Sequence, residues 1–575
     1  MIHVIMRAFL ISCTFFIVTA FKHNRIKTLN TGGTEICKLL MSSSLTQPEP
    51  TSQWVASLKG LEQIKMFSLS KFDGIRGVMA DESLAANDII LKVPEDLAIQ
   101  TANNRPPTPF PDFVSQKLWE GSKWDQRICY KLLWEYEILG ADSTKHMWLK
   151  QLPKAYDTTF YWNDEELSEL QYSSIVEKIK KQRSDWRELF ENWQKDCKFF
   201  YPPQKGTTWG KRVQGLTYER FVWGLETVNS RAFSGSYEGS SAADRRNLFF
   251  FTGFLTTAYP ILGFGTYEEA IQGAIAVGLS IFLKDYFFSK NSNLKRYVVC
   301  PLIDMFNHKS TCNSEASFNY FNGCFELSTE KYQKGDQIFI SYGKQSNDRF
   351  LQYYGFVEEN NMNDIYDFGQ GILELLLKYA EPLSTVIDFP GNPAPEERLK
   401  AIASGLRVTD LESQGQQTNT VRTIAMDSTT RYYRSPIKNN NGNLSEKLSR
   451  FDEISVACVR ALVCSESEWN SAQAQKNLMG MLSPLSPETE ERTEKLLASL
   501  CFLELKSKPT SLEDDIKSLQ KLIDGESKGF SQTKGVKESK NSSSSVTALN
   551  AANTMRQIAL TFRIEKKKML MHASS

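Results

Sequence analysis

The pattern of apolar and polar positions divides the chain into a strand-rich first part and a helical second part. Short β-branched and apolar runs that end at turn residues predict buried strands at residues 66–69, 89–93 and 297–303. In the later part of the chain, apolar residues recur mostly at helical spacing. The pattern therefore predicts an α+β fold class, with a β-rich domain at residues 52–360 and a helical domain at residues 361–575.

Two helical insertions interrupt the β-rich domain. The first covers about residues 110–225, where amphipathic helices are predicted and Asn163 is expected to be an N-cap. The second covers residues 234–296, and within its residues 248–283 two uncharged apolar runs flank Glu268-Glu269. This pattern fits a buried helical hairpin, a membrane-contacting element or an oligomerisation surface. Because membrane helices also satisfy their backbone hydrogen bonds internally, the sequence alone leaves these alternatives open.

Residues 1–51 have the composition of a targeting segment and linker rather than of a folded domain. Arg7 precedes an apolar run at residues 8–18, and Val18-Thr19-Ala20 fits a cleavage site. A basic segment without acidic residues then follows up to Glu35. Secretion is one reading of this pattern, but cysteines without a pairing pattern argue against an oxidising compartment.

Low-complexity composition predicts a disordered loop in the helical domain. Residues 526–550 are rich in Ser, Lys and Gly, and four consecutive serines occupy residues 542–545. A segment with so few apolar side chains buries too little surface to offset its conformational entropy. We therefore expect disorder at about residues 526–550, ahead of a final helix.

Overall composition excludes several classes of function. Lys and Arg number 68 against 67 Asp and Glu, so a net charge of +1 gives no electrostatic reason to bind nucleic acid. The ten cysteines form no C-x-x-C pair and no cluster with histidine, so neither a disulfide framework nor a zinc site is predicted. We therefore expect no metal and no nucleic-acid partner, and 575 residues suffice for two or three domains.

The residues that could carry chemistry concentrate between residues 298 and 358, at predicted strand ends. Asp304-Met305-Phe306-Asn307-His308 follows one strand, Tyr342 ends another, and Ser346-Asn347 comes four residues later. Tyr354-Gly355-Phe356 closes the stretch. Polar residues at strand ends are where binding sites are often built. Taken singly, each piece is ordinary, because an Asn-His after a strand is usually a satisfied turn and a strand tyrosine is usually core.

In combination and order, these motifs resemble those of the SET-domain methyltransferases. Within that family they are most similar to the branch typified by the Rubisco large-subunit lysine methyltransferase, with its D-x-x-N-H, Y-x-x-x-S-N and Y-G-F motifs. Upstream, Gly74-Ile75-Arg76-Gly77 resembles the family's cofactor turn, and Ser230-Arg231-Ala232-Phe233 resembles its S-R-x-F motif. Near the C-terminus, Arg563 and Lys566-Lys567 resemble its substrate-binding domain. The resemblance covers most of residues 52–575.

The resemblance implies a fold, a cofactor and a set of site residues. The fold would be a β-rich SET domain with threaded, pseudoknot topology and helical insertions, followed by an all-α substrate-binding domain. The cofactor would be S-adenosylmethionine, held by residues from three separate segments: Ile75, Arg76, Gly77, Arg231, Asn307 and His308. The catalytic residue would be Tyr342, with the substrate contacted by Ser230, Asp304 and Tyr354. Without the family, residues 74–77 are an ordinary turn and Arg231 is an exposed arginine at a helix end.

The resemblance implies a monomeric protein-lysine N-methyltransferase that acts on a protein substrate. The N-terminal segment resembles the bipartite plastid import signals of algae with secondary plastids, so we expect a plastid enzyme and a stromal substrate such as the Rubisco large subunit. Some relatives methylate histidine, and residues 343–345 depart from the family pattern, so a histidine acceptor is an alternative. A non-catalytic SET-derived binding module at a plastid membrane is another, against which the retained Tyr342 and Arg231 count.

Overall fold

The computed structural model describes most of the chain that follows the N-terminal segment. The described residues are 55–72, 75–102, 108–198, 208–235, 242–289, 296–319, 322–369, 371–379, 381–383, 398, 402, 425–427, 433–438, 444–449, 451, 453–473, 481–532 and 543–574. From Leu58 onward the chain forms one compact unit. The targeting segment predicted at residues 1–51 lies outside the described residues and stays a prediction.

Three small sheets form the β-rich part of the described chain. Their strands are β1 (Glu62–Gln63), β2 (Phe67–Phe72), β3 (Ile75–Ala80), β4 (Ile89–Pro94), β5 (Ile99–Ala102), β6 (Phe233–Gly235), β7 (Arg296–Val299), β8 (Asn307–His308), β9 (Glu315–Asn319), β10 (Cys324–Ser328) and β11 (Gln337–Ile340). The spatial orders are β1-β4-β10-β9, β2-β3-β11-β8 and β5-β7-β6. Each sheet thus joins strands from before and after the first helical insertion.

The threaded arrangement depends on one short parallel contact between strands. β11 pairs antiparallel with β3, where Ile338 lies opposite Val78, and parallel with β8, where Ile340 lies opposite His308. Ile338 and Ile340 are both buried, because alternate side chains of a strand point to the same face. The two-residue strand β8 therefore lies beside the end of β11, which leads directly into Tyr342.

The first insertion forms a helical layer on the third sheet. Its helices are α1 (Gln116–Gly121), α2 (Trp124–Leu133), α3 (His146–Leu149), α4 (Asp164–Ser168), α5 (Ser173–Asp196), α6 (Thr208–Gln214) and α7 (Tyr218–Arg231), with a π-helical turn at Trp134–Leu139. α2 packs against β5, β7 and α7. Asn163 caps α4 as predicted, in a reciprocal pair of hydrogen bonds with Glu166.

The second insertion forms a helical hairpin whose described side chains are mainly exposed. α8 (Ala242–Ile261) and α9 (Tyr267–Ser289) pack against each other. At the turn between them, Ile261 and Phe264 are 70% and 69% exposed. These described side chains are therefore not buried in the core, whereas the alternative of a buried hairpin predicted that they would be. Membrane contact and oligomerisation stay predictions. Among the described helices, none is both long enough and apolar enough to cross a membrane.

The C-terminal part is predominantly helical, as predicted. Its helices and those just before it are α10 (Asn347–Arg349), which a π-helical turn at Phe350–Tyr354 follows, α11 (Ile372–Lys378), α12 (Glu453–Val463), α13 (Glu466–Gln473), α14 (Pro487–Lys506), α15 (Leu512–Gln532) and α16 (Ser543–Ser574). α16 packs against α14 and α15. Leu496, Leu500 and Phe562 share one core with Ile175 and Ile179 of α5, so this part packs against the first insertion.

The all-α expectation for this part needs a correction, because four short strands also occur among its described residues. β12 (Ile365–Asp367) pairs with β13 (Ala425–Asp427), and β14 (Tyr433–Lys438) pairs with β15 (Leu444–Ser449). These strands are short, and the partner of β12 lies about sixty residues away along the chain. Their apolar pattern is therefore too weak to reveal them in the sequence.

Helices occupy both ends of the range 526–550 for which disorder is predicted. α15 continues to Gln532 and α16 begins at Ser543, while residues 533–542 lie outside the described residues. Once a helix is nucleated, each added residue gains a hydrogen bond, so polar extensions of packed helices remain helical.

We predict that Gly355→Ala destabilises the protein more than Gly335→Ala does. Both glycines have positive φ, 74° and 95°, so alanine costs about 1–2 kcal/mol at either position. At position 355, a Cβ would also lie 2.5 Å from the main-chain oxygen of Asp157, whereas at position 335 nothing lies within 4 Å. Urea unfolding of both variants measures the difference, and equal losses of unfolding free energy would contradict the close contact with Asp157.

Candidate functional site

A cavity of about 260 Å³ opens where α7, β6 and the ends of β9 and β11 meet. Its lining comes from five separate chain segments: Ser230, Arg231, Ala232, Phe233, Ser234, Asp304, Glu315, Ala316, Ile340, Ser341, Tyr342, Gly343 and Tyr354. The lining includes the predicted catalytic Tyr342 and all three predicted substrate-contacting residues, Ser230, Asp304 and Tyr354. The fold therefore brings these residues together from positions up to 124 apart in the sequence.

The Tyr342 side chain is held between two aromatic rings. Its ring centroid lies 5.1 Å from that of Tyr354 and 4.9 Å from that of His308. Its hydroxyl donates a hydrogen bond of 2.7 Å to the main-chain oxygen of Phe306. Burial raises the pKa of the phenol, and Tyr354 and Asp304 add to this while Arg231 opposes it. The phenol is therefore neutral, with its proton directed at Phe306 and its oxygen free to accept a hydrogen bond.

Arg231 and Asp304 form a shielded ion pair beside Tyr342. Nη1 of Arg231 lies 3.4 Å from Oδ2 of Asp304 and also donates to the main-chain oxygen of Asp304. Burial raises the pKa of Asp304 overall, although Arg231, Arg76 and Trp148 oppose this rise. Burial alone would lower the pKa of Arg231, but Tyr156 and Asp304 raise it overall. The reading of Arg231 as an exposed helix-end arginine is wrong, because its side chain is only 15% exposed.

The predicted cofactor segment runs along the start of β3, which the Asn307 side chain of β8 reaches. Ile75 is exposed, and the Arg76 guanidinium donates to the main-chain oxygen of Gln151 at 2.8 Å. Burial lowers the pKa of Arg76, as does the nearby Arg231. From Ile75 onward the backbone is strand rather than the ordinary turn that the two glycines suggest.

Asn307 connects this segment to β8. Its side-chain amide donates a hydrogen bond of 3.0 Å to the main-chain oxygen of Arg76. A Cβ added at Gly77 would lie 3.0 Å from the Asn307 amide nitrogen and 2.5 Å from Nε2 of Gln337. Only glycine therefore leaves these amide side chains undisturbed at this point.

His308 is a buried neutral ring rather than a general base. Its Nδ1 accepts the backbone N–H of Tyr342 at 3.0 Å, and its Nε2 lies 3.5 Å from Oε2 of Glu358. Burial lowers the pKa of His308, and Glu358 opposes this. The ring also packs against Phe350, with centroids 4.6 Å apart. These contacts agree with the predicted structural role, because the imidazole fixes the backbone of Tyr342.

Two features of the site were not predicted. Tyr156 accepts a hydrogen bond of 3.1 Å from Nε of Arg231, and the acidic Glu315 lines the cavity. Neither residue lies in one of the recognised motifs, and only the folded chain brings them to the cavity. No group of three or more His, Cys, Asp and Glu side chains in the described part of the chain is arranged to hold a metal ion.

The buried carboxylate of Glu226 holds the last turn of α7, which places Ser230 and Arg231 at the cavity. Glu226 accepts hydrogen bonds from the hydroxyls of Thr158, at 2.6 Å, and Tyr161, at 2.7 Å. The Ser230 hydroxyl donates back to the main-chain oxygen of Glu226 at 2.7 Å. The last turn of α7 is thereby tied to the first insertion. Burial raises the pKa of Glu226 from 4.5 to about 7, although both hydroxyls lower it.

Comparison with protein families finds two matches along the chain. The SET domain family matches residues 75–343, and the Rubisco LSMT substrate-binding family matches residues 414–570. The first match contains the cavity residues up to Gly343. The second covers α12 to α15 and most of α16.

Comparison with curated proteins finds distant methyltransferases. The chain is 22% identical to ribosomal lysine N-methyltransferase 4 of Saccharomyces cerevisiae over 309 residues, which are 53% of each protein. It is 20% identical to actin-histidine N-methyltransferase of Mus musculus over 353 residues, 59% of this chain and 48% of the relative. The chain thus matches about half the length of these relatives.

Comparison with solved structures confirms the fold. The structure of Rubisco LSMT bound to AdoMet matches with a TM-score of 0.50 at 16% identity, over 92% of this chain and 91% of that chain. The SET domain of LSMT bound to lysine and AdoHcy also matches with a TM-score of 0.50 at 16% identity, over 91% and 89%. The predicted combination of a SET fold and a helical C-terminal part is therefore confirmed.

We predict that Glu226→Gln becomes more stable than the wild type as pH rises. Below about pH 4.5 the carboxyl group is protonated in both the folded and unfolded states, so the variant and the wild type differ little. Between 4.5 and about 7 the unfolded wild type loses the proton that the folded state keeps, so the wild type loses stability. Glutamine has no such proton, and urea unfolding across this interval measures the growing difference.

Glu219→Gln, on the same helix, is the matched control and should behave in the opposite way. Hydrogen bonds from its own backbone N–H and from the Thr217 hydroxyl lower the pKa of Glu219, which is exposed. Its carboxylate therefore stabilises the fold above the unfolded pKa, and this contribution disappears as pH falls. If Glu226→Gln and Glu219→Gln changed stability in the same direction at neutral pH, the buried state of Glu226 would be contradicted.

Proposed function

Because the chain belongs to the SET-domain proteins related to Rubisco LSMT, we propose that it is a methyltransferase that transfers a methyl group from S-adenosylmethionine to a protein side chain. The observation that carries the proposal is the neutral Tyr342 hydroxyl in the cavity, whose proton is directed at Phe306. Its oxygen then accepts a hydrogen bond from a substrate amine. The alternative of a binding module gives no reason for a tyrosine held in this way.

The residues beside the cavity suit S-adenosylmethionine. At Gly77 the backbone lies against the amide side chains of Gln337 and Asn307, with no room for a Cβ. The guanidinium group of Arg231 is buried and charged, which suits the carboxylate of an amino-acid moiety. Ile75, Arg76 and Gly77 contribute mainly through their backbone, and Asn307 and His308 flank them. When bound, the cofactor supplies a methyl group on a positive sulfonium, open to in-line displacement.

The cavity residues prepare the acceptor for that displacement. A lysine amine has a reference pKa of about 10.4 and attacks only after it loses its proton. Removal of the amine from bulk water favours its neutral form, and the Arg231 cation beside the cavity acts in the same direction. The Tyr342 oxygen orients the amine, and the Tyr354 ring, 5.1 Å from that of Tyr342, forms one wall. Holding two reactants in line contributes about 7–11 kcal/mol to lowering such barriers.

We take lysine as the acceptor and a plastid protein as the substrate. The lysine assignment follows the D-x-x-N-H, Y-x-x-x-S-N and Y-G-F motifs, and the match of residues 414–570 to a substrate-binding domain supports a protein substrate. The basic N-terminal segment supports a plastid location, with a stromal protein such as the Rubisco large subunit as the first candidate. Histidine is the second candidate acceptor, because one relative is an actin-histidine N-methyltransferase.

We predict that Tyr342→Phe lowers methyl transfer by at least about a hundredfold, the scale on which misplaced reactants lose rate. Binding of S-adenosylmethionine, measured by calorimetry, should change little because the phenylalanine ring still packs between His308 and Tyr354. Transfer of labelled methyl into a stromal extract is the assay. Tyr353→Phe is the control, since Tyr353 is outside the cavity lining and should leave transfer intact.

Two outcomes would overturn this proposal. Equal labelling by wild type and Tyr342→Phe would show that Tyr342 is not catalytic. If the folded wild type shows no labelling and does not bind S-adenosylmethionine, that result would favour a binding module.

The acceptor can be identified from the labelled product. We expect the label to appear in methyllysine after complete hydrolysis, because the Tyr342 oxygen is placed to accept an N–H of a neutral amine. Amino-acid analysis separates methyllysine from methylhistidine. Label found only in methylhistidine would replace lysine by histidine as the acceptor while leaving methyl transfer in place.

A further inference from the structure

The lysine pair near the C-terminus is buried rather than available to a substrate. Lys566 and Lys567, on α16, are 3% and 2% exposed. Lys567 Nζ lies 2.6 Å from Oδ2 of Asp515 and donates to the main-chain oxygen of Thr510, so it anchors α16 to the start of α15. The neighbouring Lys566 points to a different set of partners. The two adjacent lysines therefore hold two different interfaces.

Lys566 reaches the segment that follows the cavity. Its Nζ lies 2.6 Å from Oδ1 of Asp348 and 2.8 Å from Oδ1 of Asp364, and it also donates to the main-chain oxygen of Ile365. Both carboxylates are almost fully buried. Lys178 is a second cation near Asp348, but it is 3.5 Å away and partly exposed. Lys566 is therefore the closest charge partner of both carboxylates among the described residues.

Asp364 connects Lys566 to Asn347, which lies on the segment that follows Tyr342. Oδ1 of Asp364 accepts the Asn347 backbone N–H at 2.8 Å. The Asn347 side chain then bridges Glu358 in both directions: its Nδ2 donates to the main-chain oxygen and its Oδ1 accepts the backbone N–H, each at 3.0 Å. Asn347 is fully buried, so these hydrogen bonds have no competing water.

Glu358 completes the connection to the predicted catalytic residue. Its Oε2 lies 3.5 Å from Nε2 of His308, and its Oε1 accepts the Ser310 backbone N–H at 2.9 Å. Nδ1 of His308 accepts the Tyr342 backbone N–H at 3.0 Å. The steps from Lys566 to Asp364, Asn347 and Glu358, and from His308 to Tyr342, are hydrogen bonds or ion pairs, whereas Glu358 and His308 approach to 3.5 Å. A second contact from α16, between Glu565 and the Asn360 backbone N–H at 2.8 Å, holds the same segment.

We propose that Lys566 is a positioning residue for Tyr342, through which the C-terminal helix sets the geometry of the cavity. The proposal rests on the proposed function in that it takes Tyr342 as the catalytic residue. Removal of the Lys566 charge leaves Asp348 and Asp364 buried with only the more distant Lys178 as compensation. These carboxylates then separate or take up protons, and Asn347, Glu358 and His308 shift with them.

The test compares Lys566→Met with Lys567→Met, which removes an equally buried lysine from the same helix. The first readout is the His308 resonance in protein labelled with ¹³C-histidine, assigned by its absence in His308→Asn. The second readout is whether the variant changes kcat, KM or both. We expect Lys566→Met to shift the resonance and lower kcat by about tenfold or more with little change in KM, because misplaced reactants lose rate. Lys567→Met should lower stability alone.

Each outcome decides the proposal. A His308 resonance and a kcat that respond equally to both lysine variants would contradict it, because the effect would then be general destabilisation. If the wild type is inactive but Lys566→Met alone moves the His308 resonance, the connection stands and the proposed function fails. If Lys566→Met does not fold, Asp364→Asn keeps the side-chain volume and removes the carboxylate that links Lys566 to Asn347. This variant should move the same resonance, and an unmoved resonance would overturn the proposal.

Discussion

The candidate site depends on the parallel pairing of a two-residue strand, Asn307–His308, with the end of β11. Parallel strands cannot be joined by a tight turn, so this contact requires the chain to leave and return. The pairing places His308 where its Nδ1 accepts the Tyr342 backbone N–H, and places Asn307 where its amide holds the Arg76 carbonyl. Loss of this one contact would separate Tyr342 from the predicted cofactor segment.

Burial of charge is the second constraint on the site. Arg231 and Asp304 are paired in a region where an isolated charge would be strongly unfavourable, and Tyr342 stays neutral beside them. Such a pair adds little net stability, since desolvation offsets much of the attraction. The pair instead fixes the positive Arg231 guanidinium beside the same small cavity that the neutral Tyr342 hydroxyl oxygen faces. That combination suits a cofactor with a carboxylate and an acceptor that must lose a proton.

The C-terminal helix extends the same use of buried charge across the protein. Arg563 and Lys567 share the carboxylate of Asp515, while Lys566 is shared by Asp348 and Asp364. Removal of one partner from a buried pair typically costs about 3–5 kcal/mol, so these contacts fix α16 tightly. The helical hairpin of α8 and α9 contrasts with this, because its described apolar side chains find few partners within the chain. The C-terminal helix is thus held by buried ion pairs, whereas the described side chains of the second insertion are mainly exposed.

The sequence by itself determined the local elements and the order of the motifs. The Asn163 cap and the strands near residues 66–69 and 89–93 depend on local residue preferences, so they could be predicted. The motifs identified Tyr342, Arg231 and Asp304, which then proved to line one cavity. Composition alone did not reveal that α15 extends to Gln532 and that α16 begins at Ser543.

Only the tertiary structure decided the contacts between distant segments. Tyr156 at Arg231, Glu315 in the cavity and the β12–β13 pair arise from residues far apart in the chain, for which no local pattern exists. For the same reason, the sequence did not reveal that Lys566 is a buried partner of two carboxylates. A lysine in a basic run is ordinarily exposed, and only the positions of Asp348 and Asp364 in the folded chain make its burial favourable. Local preferences thus set the elements, whereas long-range charge pairing set the site.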